Sequence, residues 1–257
     1  MPTARDIASR MDGWLRTTEI PDYPGAINGL QVDNRADVTR LATAVDFSAY
    51  IVRETIRARA QLLLVHHGMF WGGVQPLTGV IYERLANLIA NDVAVYSSHL
   101  PLDLHPELGN NVLLAKRLGL RPTEGFARYK TVDVGLAGAD DIPTATLIER
   151  VRLLTTEAGG HVVAPSVASD RRTRRWAMCT GAGADSETIR EAMERGIDTM
   201  IVGEGPHHTA VQARDLGIVI IYAGHYATET MGIRALGERA GSEFGIEAVF
   251  LDAPTGL

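Results

Sequence analysis

The sequence predicts a doubly wound α/β protein of two domains, with mainly parallel sheets and helices on both faces. Two observations carry that prediction. Apolar runs of strand length alternate with helical stretches, and the second half of the chain repeats the order of the first, so an internal duplication is expected. The 257 residues suffice for one large domain or two small ones, and 46% hydrophobic against 22% charged residues excludes disorder.

Ile7, Met11, Trp14 and Leu15 recur at helical spacing, so an amphipathic helix over 3–16 opens the chain. The turn formers Pro21, Asp22, Pro24 and Gly25 make the loop after it. A strand over 41–47, a helix over 49–60 and a buried strand over 62–65 follow, the last running into His66 and His67. A helix over 82–91 and a strand over 93–96 lead to Ser97, Ser98 and His99. Residues 119–130, with Pro122, Gly125 and several charges, read as a linker. That places the first domain at 1–124 and the second from 125 onward. A strand over 132–137, a helix over 144–156 and a short strand over 161–164 lie beyond it. The repeat of the first half then runs through a strand at 175–180, a helix at 186–194 and a strand at 199–202 that ends at Gly203 and Glu204. A helix at 209–216 and a strand at 218–222 complete it, reaching Gly224 and His225.

Composition narrows the functional classes. Twenty-five basic against thirty-one acidic residues give a net charge of −6, which argues against nucleic acid as a partner. No apolar run approaches the roughly 18 residues of a membrane span, and the N-terminal residues do not resemble a signal peptide. With Cys179 as the single cysteine, the expected compartment is the cytoplasm, and a thiolate metal cluster is excluded.

The eight histidines are the informative residues. In open α/β sheets ligands bind beyond the carboxyl ends of the strands, and six histidines fall there: His66, His67, His99, His207, His208 and His225. Asp103 lies four residues after His99, and Glu229 four after His225. In a helix that opens at 225, His225 and Glu229 share a face. His66 and His67, adjacent at a strand end, point apart and suit two neighbouring ions better than one. Imidazole and carboxylate together make a ligand set for zinc, iron, manganese or cobalt, not calcium.

These motifs resemble the Nif-three-like dinuclear metal-centre family, whose bacterial members carry the name GTP cyclohydrolase I type 2. The resemblance rests on His66-His67-Gly68-Met69-Phe70-Trp71, Tyr82-Glu83-Arg84-Leu85 and His99-Leu100-Pro101-Leu102-Asp103. The run from His105 to Asn111 extends it, and Asn28-Gly29-Leu30-Gln31-Val32 and Gly224-His225-Tyr226-Ala227-Thr228-Glu229 complete it near the two ends. The resemblance implies two divalent ions per chain, zinc, iron or manganese, on His66, His67, Asp103, His225 and Glu229, with Glu229 bridging. It implies a catalytic role for His99 beside them, as proton carrier or water-orienting group. It further implies a homohexamer and two interlinked domains with the C-terminal segment returning to the first. The domains then become 1–124 plus 225–257, the metal-binding one, and 125–224.

The resemblance leaves the chemistry open between two classes. One is a dinuclear hydrolase acting on a small molecule, either GTP, through attack of activated water at guanine C8 with loss of formate, or another phosphoester or amide. The other is a non-enzymatic metal-binding regulator. Arg171, Arg172, Arg174 and Arg175 are candidates for triphosphate contact, although a basic cluster before a strand reads more simply as a solvated turn. His207 and His208 carry no ligand role, and Glu204 reads equally well as a turn residue. Phe70 and Trp71 could wall the site but read more simply as core, and Asn110 or Asn111 reads as a helix cap. Ala182, in Gly181-Ala182-Gly183, replaces a glycine of the family's turn, so a differently shaped loop is expected there.

Overall fold

Thr3 caps the first helix, α1 (Ala4–Leu15). Its hydroxyl accepts the Asp6 N–H while the Asp6 carboxylate accepts the Thr3 N–H, a capping box. Buried Ile7, Met11 and Leu15 form the inner stripe of that helix at the predicted spacing. The computed structural model describes residues 1–257. In chain order there follow β1 (Gly29–Val32), β2 (Arg40–Asp46), α2 (Ala49–Arg57), β3 (Leu62–His67), α3 (Gly79–Ala90), β4 (Ala94–Ser97) and α4 (Leu100–Asp103). Next come α5 (Asn110–Leu118), β5 (Pro122–Tyr129), β6 (Val132–Pro143), α6 (Thr144–Glu157), β7 (Arg172–Cys179) and α7 (Ser186–Glu194). The chain continues through β8 (Thr199–Val202), α8 (His207–Asp215), β9 (Val219–Tyr222), α9 (His225–Phe244) and β10 (Glu247–Phe250).

The elements form two units, Met1–Leu108 with Gly232–Ala253, and Gly109–Met231 with Pro254–Leu257. The sheet of the first unit has the order β1-β4-β3-β2-β10, parallel throughout except for β1, which pairs antiparallel with β4. All six residues of the inner strand β3 are buried, as expected of a strand covered on both faces. On one face Ala42, Ala44, Leu63, Val65 and Val95 pack against Ile51 and Val52 of α2 and Leu88 of α3. On the other, α9 comes so close to β2 that a Cβ on Gly237 would lie 2.4 Å from the Thr43 methyl. Only glycine fits at that crossing.

The second unit has the order β5-β6-β7-β8-β9, with β5, β6 and β7 antiparallel and β7, β8 and β9 parallel. The two-residue period of its strands sends alternate side chains into two cores. Trp176, Met178, Ile201 and Ile221 pack with Leu114 of α5 and Leu147 and Val151 of α6. Ala177, Met200, Val202 and Ile220 pack instead with Ile189 of α7 and Ala213 of α8. Helices therefore cover both faces of this sheet.

The fold class is the predicted α/β, with three local corrections. Residues 119–130 are not a linker, because 122–129 form β5. Its proline and exposed residues suit the edge of a sheet, where Pro122 opens the strand and removes no interior ladder bond. The expected strand at 161–164 shrinks to a single bridge between Val163 and Tyr222. The sheets are mixed, because β1, β5 and β6 run antiparallel to their neighbours, and the short strands β1 and β10 add to the predicted set. No helix is long and apolar enough to cross a membrane.

Candidate metal centre

The first group of site residues belongs to the first unit and grows from β3 and β4. His66 is fully buried and His67 nearly so at the end of β3, and His99 follows β4 as the N-cap of α4. His66, His67 and His99 each offer a ring nitrogen within 4.8 Å of the other two. Asp103, at the end of α4, places Oδ2 3.5 Å from His66 Nε2. The single turn of α4 makes this possible, because the Asp103 N–H donates to the His99 carbonyl at 3.1 Å and brings residue 103 back beside residue 99.

Each imidazole is anchored through Nδ1. His66 Nδ1 lies 2.9 Å from the Ser98 carbonyl, which can only accept, so Nδ1 carries the hydrogen and Nε2 the lone pair. His67 Nδ1 lies 2.8 Å from Asp46 Oδ1, and the ladder pairs Asp46 directly with His67 across β2 and β3. His99 Nδ1 lies 2.8 Å from Asp22 Oδ1. Asp22 also accepts the N–H groups of Tyr23 and Leu100 and the amide of Asn28, whose own carbonyl accepts the His99 N–H. Burial opposes ionisation of Asp22, but the bonds from His99, Asn28 and Tyr23 outweigh it and hold its pKa below the usual carboxylate value.

Aromatic side chains wall this group. The Trp71 ring stands 4.5 Å from that of His99 and 5.1 Å from that of His67, and Tyr23 approaches Trp71 edge-on at 6.2 Å. Trp71 is 42% exposed, so it is a wall residue and not the core residue its position after a buried strand suggests. Gln31 positions the loop that carries it, donating to the Ala26 and Ile27 carbonyls and accepting the Met69 N–H.

The second group belongs to the second unit. His225 opens α9, and Glu229, one helical turn on, places Oε2 3.1 Å from His225 Nε2. His225 Nδ1 lies 2.7 Å from Glu204 Oε1, so Glu204 is a partner of the imidazole and more than a turn residue. Burial disfavours the charged ring, but Glu229 and Glu204 together outweigh it and push the His225 pKa up to about 9. A metal ion taking His225 must displace that proton. Apparent affinity is therefore expected to fall by about tenfold per pH unit below about 9, where an ordinary histidine would compete only below about 6.5. Competition titrations with a chromophoric chelator between pH 6 and 9.5 read this directly. A flat profile above pH 7 would contradict it.

Gly181 fits the backbone around Glu229. It has φ +63°, its N–H donates to Thr228 Oγ at 3.0 Å, and a Cβ there would lie 2.1 Å from Glu229 Oε1. Ala182 has no positive φ, so the alanine sits in this turn without left-handed backbone strain.

The remaining candidates fall elsewhere. His208 Nε2 meets Ser186 Oγ at 3.3 Å, and His207 starts α8. His105 Nδ1 accepts the N–H groups of Glu107 and Leu108, a loop-fixing role. Arg172 and Arg175 lie within β7 and not in a turn before it, and they pair at the surface with Asp141 and Glu124. Asn111 is not a cap, because it spans from the Val134 carbonyl to the Thr180 N–H.

The donor set fits a divalent transition ion. It contains nitrogen and oxygen donors only, and every imidazole has its second nitrogen fixed on a carbonyl or carboxylate, the arrangement that orients ligating histidines. The sequence points to the histidines and not to their partners Asp46 and Asp22, while Glu204 stays open in it between a site residue and a turn residue.

Residues 2–255 match the family described as Duf34/NIF3 (NGG1p interacting factor 3). A protein of Halobacterium salinarum is 39% identical over 254 residues, and one of Pyrococcus abyssi 38% over 252, each match covering 98% of both chains. Both relatives bear the name GTP cyclohydrolase 1 type 2 homolog. The solved structure of protein ybgI, described as of unknown function, superposes with a TM-score of 0.88 at 33% identity, covering 99% of this chain and all of that one.

Proposed function

Because the chain belongs to the Duf34/NIF3 family and its site imidazoles are held for ligation, we propose that it is a metal-dependent hydrolase with two divalent ions per chain. The ligands in this proposal are His66, His67, Asp103, His225 and Glu229, with Glu229 bridging, and the ions are zinc, iron or manganese. The observation that carries it is the common anchoring of Nδ1 in His66, His67, His99 and His225, which makes Nε2 the nitrogen of each ring that can ligate an ion. When bound, such a pair of ions supplies Lewis acidity and a water that is nucleophilic at neutral pH.

The chain's own residues do the rest. His99 moves the proton at Nε2, and Asp22 holds it in the Nδ1–H tautomer and stabilises the imidazolium that forms. Trp71 and Tyr23 limit water around His99 and give a substrate an apolar surface beside it. The substrate is a small molecule. GTP is the first to test, because the relatives are named for it, with attack at guanine C8 and release of formate. The protein works in the cytoplasm as a homohexamer, away from membranes and nucleic acid. The absence of a membrane-spanning helix and the net charge of −6 support the last two points.

A screen of GTP, other nucleotides, phosphoesters and small amides with the metal-loaded protein tests the reading. Turnover of at least one substrate above a Glu229→Ala control is expected. No turnover above that control would favour a metal-binding regulator. Asp22→Asn is expected to keep both ions and lower kcat by about 10²–10⁴-fold, because the amide can stabilise the wrong His99 tautomer. Elemental analysis beside steady-state kinetics checks both halves of that expectation.

A further inference from the structure

A cavity of about 730 Å³ lies in the second unit along the outer edge of β9. Its origin is legible in the chain. The irregular segment 161–170 runs antiparallel to β9, and Val163 exchanges both backbone hydrogen bonds with Tyr222. Antiparallel pairing would next join residue 165 to Ile220, two positions further on each strand. Residue 165 is a proline, which has no N–H to donate, and the ladder stops there. The N–H of Val219 faces β8 through Asp198 and that of Ala223 through Val202, so the N–H and carbonyl of Ile220 face the outer edge. Segment and strand part, and the cavity opens between them.

Its lining combines apolar walls with two guanidinium groups. Val163, Val167 and Ile220 supply the walls, and Arg171 and Arg214 the charge. Arg171 donates only to the carbonyls of Asp198 and Gly217, and neither arginine meets a carboxylate. The neighbouring Arg172 and Arg175 both do. Two cations that lack a carboxylate beside an apolar cavity of small-molecule size match an anionic head on an apolar body.

We infer that the second unit carries a binding site for a small amphipathic carboxylate between segment 161–170 and the edge of β9, its head on Arg171 and Arg214 and its body against Val163, Val167 and Ile220. The site is separate from the histidines and does not depend on the reaction proposed above.

Isothermal titration of the full chain with sodium octanoate tests the inference. Saturable binding is expected. Arg214→Glu is expected to weaken it by about tenfold or more, and Ala210→Trp, which fills the cavity from α8, to abolish it. Arg214 is exposed and without an ion pair, so its replacement leaves the fold intact, which circular dichroism verifies. 1-Octanol, with the same body and no charge, is expected not to bind. Glu229→Ala is expected to bind octanoate as the parent does, which separates this site from carboxylate ligation at the ions. Absence of binding to the parent chain, equal affinity in Arg214→Glu and the parent, or loss of binding in Glu229→Ala would each overturn the inference.

Discussion

Glu229→Ala is expected to empty the metal centre and reduce turnover by at least about 10³-fold, the scale of losing both the ions and the electrostatic stabilisation they supply. Glu229 is almost fully buried, and its carboxylate lies 3.1 Å from His225 Nε2. Removing it takes away the proposed bridging ligand and one of the two carboxylates that hold the His225 ring. Glu229→Gln separates charge from shape, because it keeps the side chain's volume and loses the anion. It is expected to follow the alanine variant in metal content while melting closer to the parent. Elemental analysis and thermal melts of the metal-free proteins distinguish the two effects.

Gly181→Ala is expected to damage the same centre without touching a ligand. The φ of +63° costs a residue with a Cβ about 1–2 kcal/mol. The new methyl would also stand 2.1 Å from Glu229 Oε1, so the carboxylate must leave its place or the turn must shift. Metal affinity is expected to fall by about 10–100-fold, the range seen when the support of a ligand is disturbed. Ala182→Gly is the matched control, because Ala182 has an ordinary φ and neither gains nor loses a clash. Chelator competition on the three proteins reads the difference. Equal affinities for the parent and Gly181→Ala would show that Glu229 is not held by this turn.

Much of this molecule is legible in its sequence, and the gaps have physical reasons. The helix at 186–194 appears at its predicted bounds, and β2, β3 and β9 within one or two residues, because buried parallel strands read as short apolar runs. β5 escaped notice because an edge strand tolerates the proline and the exposed side chains that otherwise mark a loop. β1 and β10 are four residues each, too short for a period to show.

The site divides in a similar way. The histidines announce themselves by falling after apolar strands. Their partners act across 21 residues for Asp46 and His67, 77 for Asp22 and His99, and 21 for Glu204 and His225, distances that only the fold closes. The rule that exposed the histidines reaches two of those partners as well. Asp46 ends β2 and Glu204 follows β8, both at carboxyl ends of strands, and an acidic residue at such a position is the signal to look for. Asp22 gives no such signal, since a loop between Pro21 and Pro24 reads as a turn. Trp71, open in the sequence between core and wall, is decided by the fold. Its neighbours in sequence are a buried strand, but its ring meets His99 edge-on and His67 at a tilt and stays partly in solvent.

The metal-to-chain ratio, measured on the parent and on His66→Ala after identical loading with zinc, manganese and ferrous iron, tests the central claim most directly. The expected result is two ions per parent chain with at least one of these metals, and their loss in His66→Ala. Full retention of both ions by His66→Ala, or a parent chain that holds none, would contradict it.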